Sequence, residues 1–535
     1  MSPRRTSRPV RPSRMLGVAA AAIAALTLLA GCYNGGSPFF GPSQTPTPTP
    51  PPVAGPFAAY FGQTVDWQAC DTGFECAVVT APLDWEDESD TRTVDIAVIR
   101  HRATGSDRIG TLFVNPGGPG ASGVDFVHDN SFWFVSPEIV ERYDIVGWDP
   151  RGAGRTATVT CFTDPDDVSE FLYFVPSVDP KANPDGWVAE QLDEGARYAD
   201  ACHENSGDAL EFIDTLSTVR DLELLRALSG DPTLNYLGFS YGTAIGSIYV
   251  DEYPQHVGRV VLDGVMDRES TLSELAISQQ AGFELALTHF VEGCPAFSDC
   301  PFTGDPAVDL PRIHAVLEAF QARPVAGGTV AAGRAMTGQA LKTGVLQALY
   351  SQSLWPTLST LFAEVLRPVP VTDTAWALAD MYNDFTPGVG FGTNIQDALW
   401  AIYCVDYPVD LDPAVLQEQN ERLAQAAPTL TLDLPALPDT ACSQWPFEYR
   451  GGQHGRLTGA GAAPVLIVST TGDPATPYQE GVKLAEDLES GVLLSFEGEG
   501  HTAYSRYGDQ CVIDVVDDYL LHGVVPEDGS WCESF

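Results

Sequence analysis

The 535-residue sequence predicts an α/β protein built on an open, mostly parallel sheet of eight strands, with a mainly helical segment inserted between the sixth and the seventh. Three observations lead there. Short apolar runs rich in Val, Ile, Leu and aromatics recur, and most of them end in Gly, Pro, Asp or Asn. Continuous runs of this kind suit strands covered by helices on both faces. Between them lie stretches such as "STVRDLELLRALSG", whose apolar residues fall every three or four positions, the period of a packed helix. From Asp267 to about Ala460 the strand signal fades, and it returns for two final runs.

In chain order, "CAVVTAPLDW" and "TVDIAVIRHRA" predict an opening pair of strands. "GTLFVNP", "YDIVGWDP", "LNYLGFS" and "GRVVLDG" follow as the third to sixth, and "APVLIVST" and "GVLLSFEG" close the sheet. Strands alternating with helical stretches read as an open α/β sheet. The intervening "TLSELAISQQAGFELALTHFVEGC", "PRIHAVLEAFQA", "QALKTGVLQALYSQSLWPTLSTLFAEVL" and "DPAVLQEQNERLAQA" all carry helical spacing.

The N-terminus stands apart. Residues 1–14 hold five arginines and no acid, Met15–Leu29 is apolar and alanine-rich, and "LAGC" follows, ending at Cys32. A basic start, an apolar run and small residues at the cut describe an export signal, in a run shorter than the ~20 residues a spanning helix needs. Leu-Ala-Gly-Cys resembles a bacterial lipobox, which implies cleavage before Cys32 and a lipid on its thiol. The Pro/Thr-rich stretch to Pro56 has nothing to bury and reads as a semi-extended tether.

A net charge of −44 sets the chain against nucleic acid and anionic membrane surfaces, so membrane contact is expected only through the lipid. Setting Cys32 aside leaves an even set of cysteines, which in an exported chain argues for disulfides. Spacing invites pairing of near neighbours, Cys70–Cys76, Cys161–Cys202, Cys294–Cys300, Cys404–Cys442 and Cys511–Cys532, while the connectivity stays open at the level of sequence. Neither a Cys-x-x-Cys pair nor a usual cysteine–histidine spacing occurs, so no metal and no cofactor is expected.

A parallel α/β sheet presents its reactive groups at the carboxyl ends of its strands. Ser240 ends "LNYLGFS" inside Gly238-Phe239-Ser240-Tyr241-Gly242, a G-x-S-x-G that reads as a nucleophile elbow. Asp473 follows the seventh strand and His501 the eighth, in the chain order Ser, Asp, His. A serine hydroxyl needs an imidazole to take its proton, and the imidazole needs a carboxylate to fix its tautomer. Asp263, at the end of the sixth strand, is the rival for the acid. The glycine-rich "FVNPGGPGASG" follows the third strand, where Gly118 N–H can serve as one oxyanion donor and Tyr241 N–H as the other.

Together "NPGGPGASG", "DIVGWDPRGAGRT", "NYLGFSYGT", "VVLDGVMD", "AIYCVD" and "GDPATPY" resemble the exported tripeptidyl-aminopeptidase group of α/β-hydrolase serine peptidases, akin to proline iminopeptidases. The likeness runs from about Trp67 to Cys532. Where proline iminopeptidases have His-Gly-Gly-Pro-Gly, this chain has Pro116-Gly117-Gly118-Pro119-Gly120, so the histidine is replaced and the oxyanion glycine kept. The resemblance implies an α/β-hydrolase fold and cleavage of peptides near a free N-terminus, releasing tripeptides or other short units. It also implies a lid whose carboxylates, with Glu284 and Glu292 as candidates, hold the substrate ammonium. The expected organisation is an export signal over 1–31, a tether over 32–56, the core over 57–267 and 461–535, and the lid over 268–460. A carboxylesterase of the same fold is the competing enzyme, and a silent peptide-binding lipoprotein the competing non-enzyme; peptides are the expected partner and the oligomeric state stays open.

Overall fold

The computed structural model describes residues 55, 57–130, 134–328, 330–450 and 455–533. The export signal, Cys32 and nearly all of the tether lie outside them. A ten-stranded sheet carries the fold: β1 (Gln68–Asp71), β2 (Phe74–Pro82), β3 (Thr93–His101), β4 (Gly110–Asn115), β5 (Tyr143–Trp148), β6 (Leu234–Phe239), β7 (Val257–Asp263), β8 (Val465–Gly472), β9 (Gly491–Glu499) and β10 (Ser530–Glu533). The spatial order is β1-β2-β3-β5-β4-β6-β7-β8-β9-β10. β1, β2, β3 and β5 pair antiparallel in turn; every pairing from β5–β4 to β9–β10 is parallel. This is the α/β-hydrolase fold.

The eight expected strands are β2 to β9. The two additions, β1 and β10, are four residues each, too short to show a periodicity, and strands so short are marginal alone. Each has a disulfide: Cys70–Cys76 joins β1 to β2, and Cys511–Cys532 joins β10 to helix Gln510–His522. The other bonds are Cys161–Cys202, Cys294–Cys300 and Cys404–Cys442.

Strand periodicity sorts the core onto two faces. Val465 and Ile467 of β8 join the cluster under helices Thr215–Ser229 and Tyr241–Glu252, while Leu466 and Val468 join the one under Gly123–Asn130 and Gln510–His522. Local signals set the helix ends: Asp214 accepts the Ser217 N–H to open Thr215–Ser229, and left-handed Gly230 closes it.

The segment after β7 is helical as expected, starting with Leu272–Gly293 behind a Thr271/Glu274 capping box. It has its own apolar core, centred on Phe283, Phe290, Leu341, Leu358, Phe362 and Trp376. The boundary with the sheet domain is less tidy than the sequence suggests. Helix Pro165–Leu172, expected in the core segment, sends Val168 into the lid core, as does the adjoining Tyr173; Tyr173 Oη also donates to Asp380 at 2.8 Å. Conversely, helix Ile395–Asp406 lies within the expected lid yet packs Ala398, Ala401 and Ile402 into the sheet's cluster. Helical spacing marks a buried face without saying which neighbour covers it. Among the described residues no helix is long and apolar enough to cross a membrane.

Candidate active site

Four neighbouring strands, β6 to β9, end at one edge of the sheet, and their ends carry Ser240, Asp263, Asp473 and His501. Ser240 sits between β6 and helix Tyr241–Glu252 with φ 53° and ψ −124°, a left-handed turn that a serine adopts only under constraint. Its N–H donates to Asp263 O at 3.0 Å, and its carbonyl accepts the Thr243 N–H at 2.8 Å. The flanking glycines are small because the turn is tight: a Cβ on Gly238 would lie 2.5 Å from Gly242 O, and one on Gly242 2.7 Å from Asn115 O.

The loop after β4 lies against this elbow. A Cβ on Gly117 would fall 2.9 Å from Ser240 Cβ and 3.1 Å from Tyr241 N. Gly117 N–H donates to Asn115 Oδ1 at 2.9 Å, whereas the next amide, Gly118 N–H, has no partner among the described residues. Tyr241 N–H, first in its helix, is likewise unpaired there. Two free N–H groups beside a serine form a place for a developing oxyanion. The Tyr241 ring is buried, and its Oη pairs with Thr215 Oγ1 at 2.6 Å. Thr215 in turn donates its N–H to Asp406 Oδ1 at 2.8 Å, and Arg268 lies 3.4 Å from that carboxylate.

His501 Nδ1 stands 2.9 Å and 3.0 Å from the two Asp473 oxygens. Asp473 is buried and fully engaged: Oδ1 accepts the N–H groups of Ala475 and Thr476, both at 2.9 Å, and Oδ2 accepts Thr502 N–H at 3.0 Å and Thr476 Oγ1 at 3.1 Å. With Nδ1 facing a carboxylate, Nε2 is the nitrogen left for proton transfer. Burial opposes a charge on His501, but Asp473, by charge and hydrogen bond, together with the charge of Asp263 holds its pKa above the ordinary imidazole value. Ser240 Oγ and His501 Nε2 are not hydrogen-bonded here; such bonds tighten in the substrate complex.

No hydrogen bond or ion pair joins Asp263 to the imidazole. Its carboxylate accepts the amides of Ala503 and Tyr504, and burial pushes its pKa up to about 7 against those hydrogen bonds. Three residues outside the sequence reading also shape the site. Tyr350, from the lid, accepts His501 N–H through its carbonyl at 2.9 Å and sets its ring edge-on to the imidazole, centroids 5.6 Å apart. Thr476 reaches both Asp473 and His501, and Thr502 takes a left-handed turn, φ 65°, to aim its N–H at Asp473. Thr476 lies within the quoted "GDPATPY"; Tyr350 left no local signal.

The two lid carboxylates lie in different surroundings. Glu284 is a buried group whose oxygens accept Thr429 N–H at 3.1 and 3.2 Å and Leu430 N–H at 3.2 Å. Burial raises its pKa, with those bonds opposing. It ties one lid segment to another through those amides. Glu292 is exposed, where pairing with an ammonium gains little. Cys404, Asp439 and Cys442 converge, but the two sulfurs are bonded to each other, which removes the thiolates a metal would need.

A family model described as "TAP-like protein" matches residues 429–532. Over 99% of both chains, this one is 33% identical to the "Serine protease Hip1" of Mycobacterium tuberculosis. It is 35% identical to that organism's "Carboxylesterase B", over 94% of this chain and 96% of the relative. It is 30% identical to the "Tripeptidyl aminopeptidase" of Streptomyces lividans, over 86% of this chain and 84% of the relative.

Proposed function

The chain belongs to the tripeptidyl-aminopeptidase-like group of α/β-hydrolase serine peptidases, and from that membership we propose that it cuts peptides close to a free N-terminus through Ser240, His501 and Asp473. The observation that carries the residue assignment is the pairing of His501 Nδ1 with both oxygens of a buried, fully hydrogen-bonded Asp473, at the sheet edge that also presents the Ser240 elbow.

The chemistry follows from the atoms. Ser240 Oγ attacks the scissile carbonyl carbon as His501 Nε2 takes its proton. The carbonyl oxygen becomes an oxyanion held by the N–H groups of Gly118 and Tyr241. Collapse breaks the C–N bond, and His501 returns the proton to the leaving amine, which departs as the shortened peptide. The N-terminal unit, now an ester on Ser240, is attacked by a water that His501 deprotonates; the second oxyanion, held by the same two amides, collapses with cleavage of the C–Oγ bond, and His501 returns the proton to Ser240 Oγ. Throughout, the Asp473 charge stabilises the imidazolium.

The esterase reading keeps one specific support, the 35% identity to a protein named a carboxylesterase. The same tetrahedral chemistry serves esters. One assay separates the two: tripeptidyl anilides, single-residue aminoacyl anilides and short-chain nitrophenyl esters offered side by side. The peptidase reading expects the highest kcat/KM on tripeptidyl anilides; esters alone being turned over would defeat it. We further propose export and anchoring by a lipid on Cys32. The five disulfides, which persist in oxidising compartments, support the export. Cys32→Ala is expected to move the enzyme from the membrane fraction to the medium.

A further inference from the structure

Asp263 is completely buried at the end of β7 and touches two parts of the site at once. Its main-chain carbonyl accepts the Ser240 N–H at 3.0 Å. Its side chain accepts Ala503 N–H at 3.1 Å on Oδ1 and 3.0 Å on Oδ2, and Tyr504 N–H at 2.7 Å on Oδ2. The stretch from His501 to Tyr504 belongs to no strand or helix, so each of its amides needs an acceptor from elsewhere. His501 N–H has Tyr350 O from the lid, and Thr502 N–H has Asp473. Ala503 and Tyr504 both rely on Asp263.

Hydrogen bonding alone does not call for a charge here. A neutral oxygen could accept two amides, and a fully buried carboxylate without a counter-ion is costly. Among the described residues no Lys or Arg forms an ion pair with Asp263. The groups that act on it are the two amides, the like charge of Asp473 and, with the opposite sign, His501. The reverse holds as well: Asp263 favours the protonated form of His501. The favourable partner of this charge is thus the imidazolium that forms during acyl transfer, an interaction stronger in the transition state than in the ground state.

We propose that Asp263 is a positioning residue for the reaction: it fixes the His501-bearing loop to the Ser240 elbow, and in its ionised form its charge favours the imidazolium without a hydrogen bond to the ring. The inference rests on the Ser240/His501/Asp473 reading above.

Asp263→Asn separates charge from hydrogen bonding. An amide oxygen placed where Oδ2 now lies still offers an acceptor to both Ala503 and Tyr504 N–H, while the charge is lost and an NH2 replaces the Oδ1 that stands 3.1 Å from Ala503 N. The expected result is a folded protein whose melting temperature falls less than that of Asp263→Ala, an unchanged KM and a kcat lower by roughly 10- to 100-fold, from the loss of a charge that favours the imidazolium. The acid limb of kcat/KM is expected to move to lower pH, because His501 loses a neighbour that raises its pKa. Asp263→Ala, which loses the acceptors too, is expected to fall further in kcat. Wild-type kcat and an unshifted limb in a folded Asp263→Asn would overturn the proposal. Should that variant fail to fold, the wild type decides: the rate of Ser240 modification by a fluorophosphonate is expected to fall at acid pH with a slope above one proton, and a one-proton limb overturns the proposal. Ser240→Ala and Asp473→Asn run alongside; activity surviving in those points to failure of the triad reading instead.

Discussion

Asp473→Asn changes one atom and tests the centre of the site. The imidazolium formed during turnover would sit about 3 Å from the Asp473 carboxylate, since Nδ1 lies 2.9 and 3.0 Å from its oxygens. At an effective dielectric of about 20, a unit charge at that distance contributes about 5 kcal/mol. At about 1.4 kcal/mol per tenfold, its loss corresponds to a kcat lower by roughly 10³- to 10⁴-fold. A second cost appears in stability. Asparagine has one acceptor oxygen, whereas the native carboxylate receives Ala475 and Thr476 N–H on one side and Thr502 N–H on the other. The amide oxygen will face the pair, and its NH2 will then oppose the Thr502 donor. One buried N–H left unpaired costs about 1–3 kcal/mol. Steady-state hydrolysis of a peptidyl anilide reads the first effect and thermal melting the second. A folded variant within tenfold of the wild-type kcat would refute the assignment of Asp473 and the electrostatic argument with it.

Three other outcomes are expected. Gly117→Ala places a Cβ 2.6 Å from Phe239 O and 2.9 Å from Ser240 Cβ at a residue with φ 97°; the combined strain of backbone and overpacking, about 2–5 kcal/mol, lowers the melting temperature and slows fluorophosphonate labelling of Ser240, and an unchanged labelling rate would detach this loop from the elbow. The kcat/KM profile is expected to fall on the acid side with a midpoint above the ordinary imidazole value of about 6.5, since His501 must be neutral to accept a proton and its carboxylate neighbours raise its pKa; a midpoint below that value contradicts the reading. N-acetylation of a good peptide substrate is expected to cut kcat/KM by roughly 10²-fold, about 3 kcal/mol of transition-state binding, and equal cleavage of free and acetylated peptides would exclude an aminopeptidase.

The parts of this protein legible in the sequence are those set by neighbours along the chain. The central strands β4 to β8 are visible because a strand covered on both faces is largely apolar, β2, β3 and β9 because they still hold short apolar runs, and the Ser240 elbow because its turn admits only small residues at Gly238 and Gly242. The ordered positions of Ser240, Asp473 and His501 at strand ends followed from the same pattern. What the sequence left undetermined depends on contacts between distant segments. Nothing near Glu284 in the chain uses it, yet its oxygens accept the amides of Thr429 and Leu430 from a distant part of the lid. Tyr350 carries no motif, yet packing of the lid brings its carbonyl to His501 N–H. Asp263 matched the position of a catalytic acid, and the choice between it and Asp473 rested on which carboxylate the irregular loop after β9 turns toward Nδ1. Chain-local patterns specify which residues can form a strand, a cap or an elbow; a hydrogen bond between segments hundreds of residues apart exists only once packing has brought donor and acceptor within about 3 Å, and that is decided by the tertiary structure.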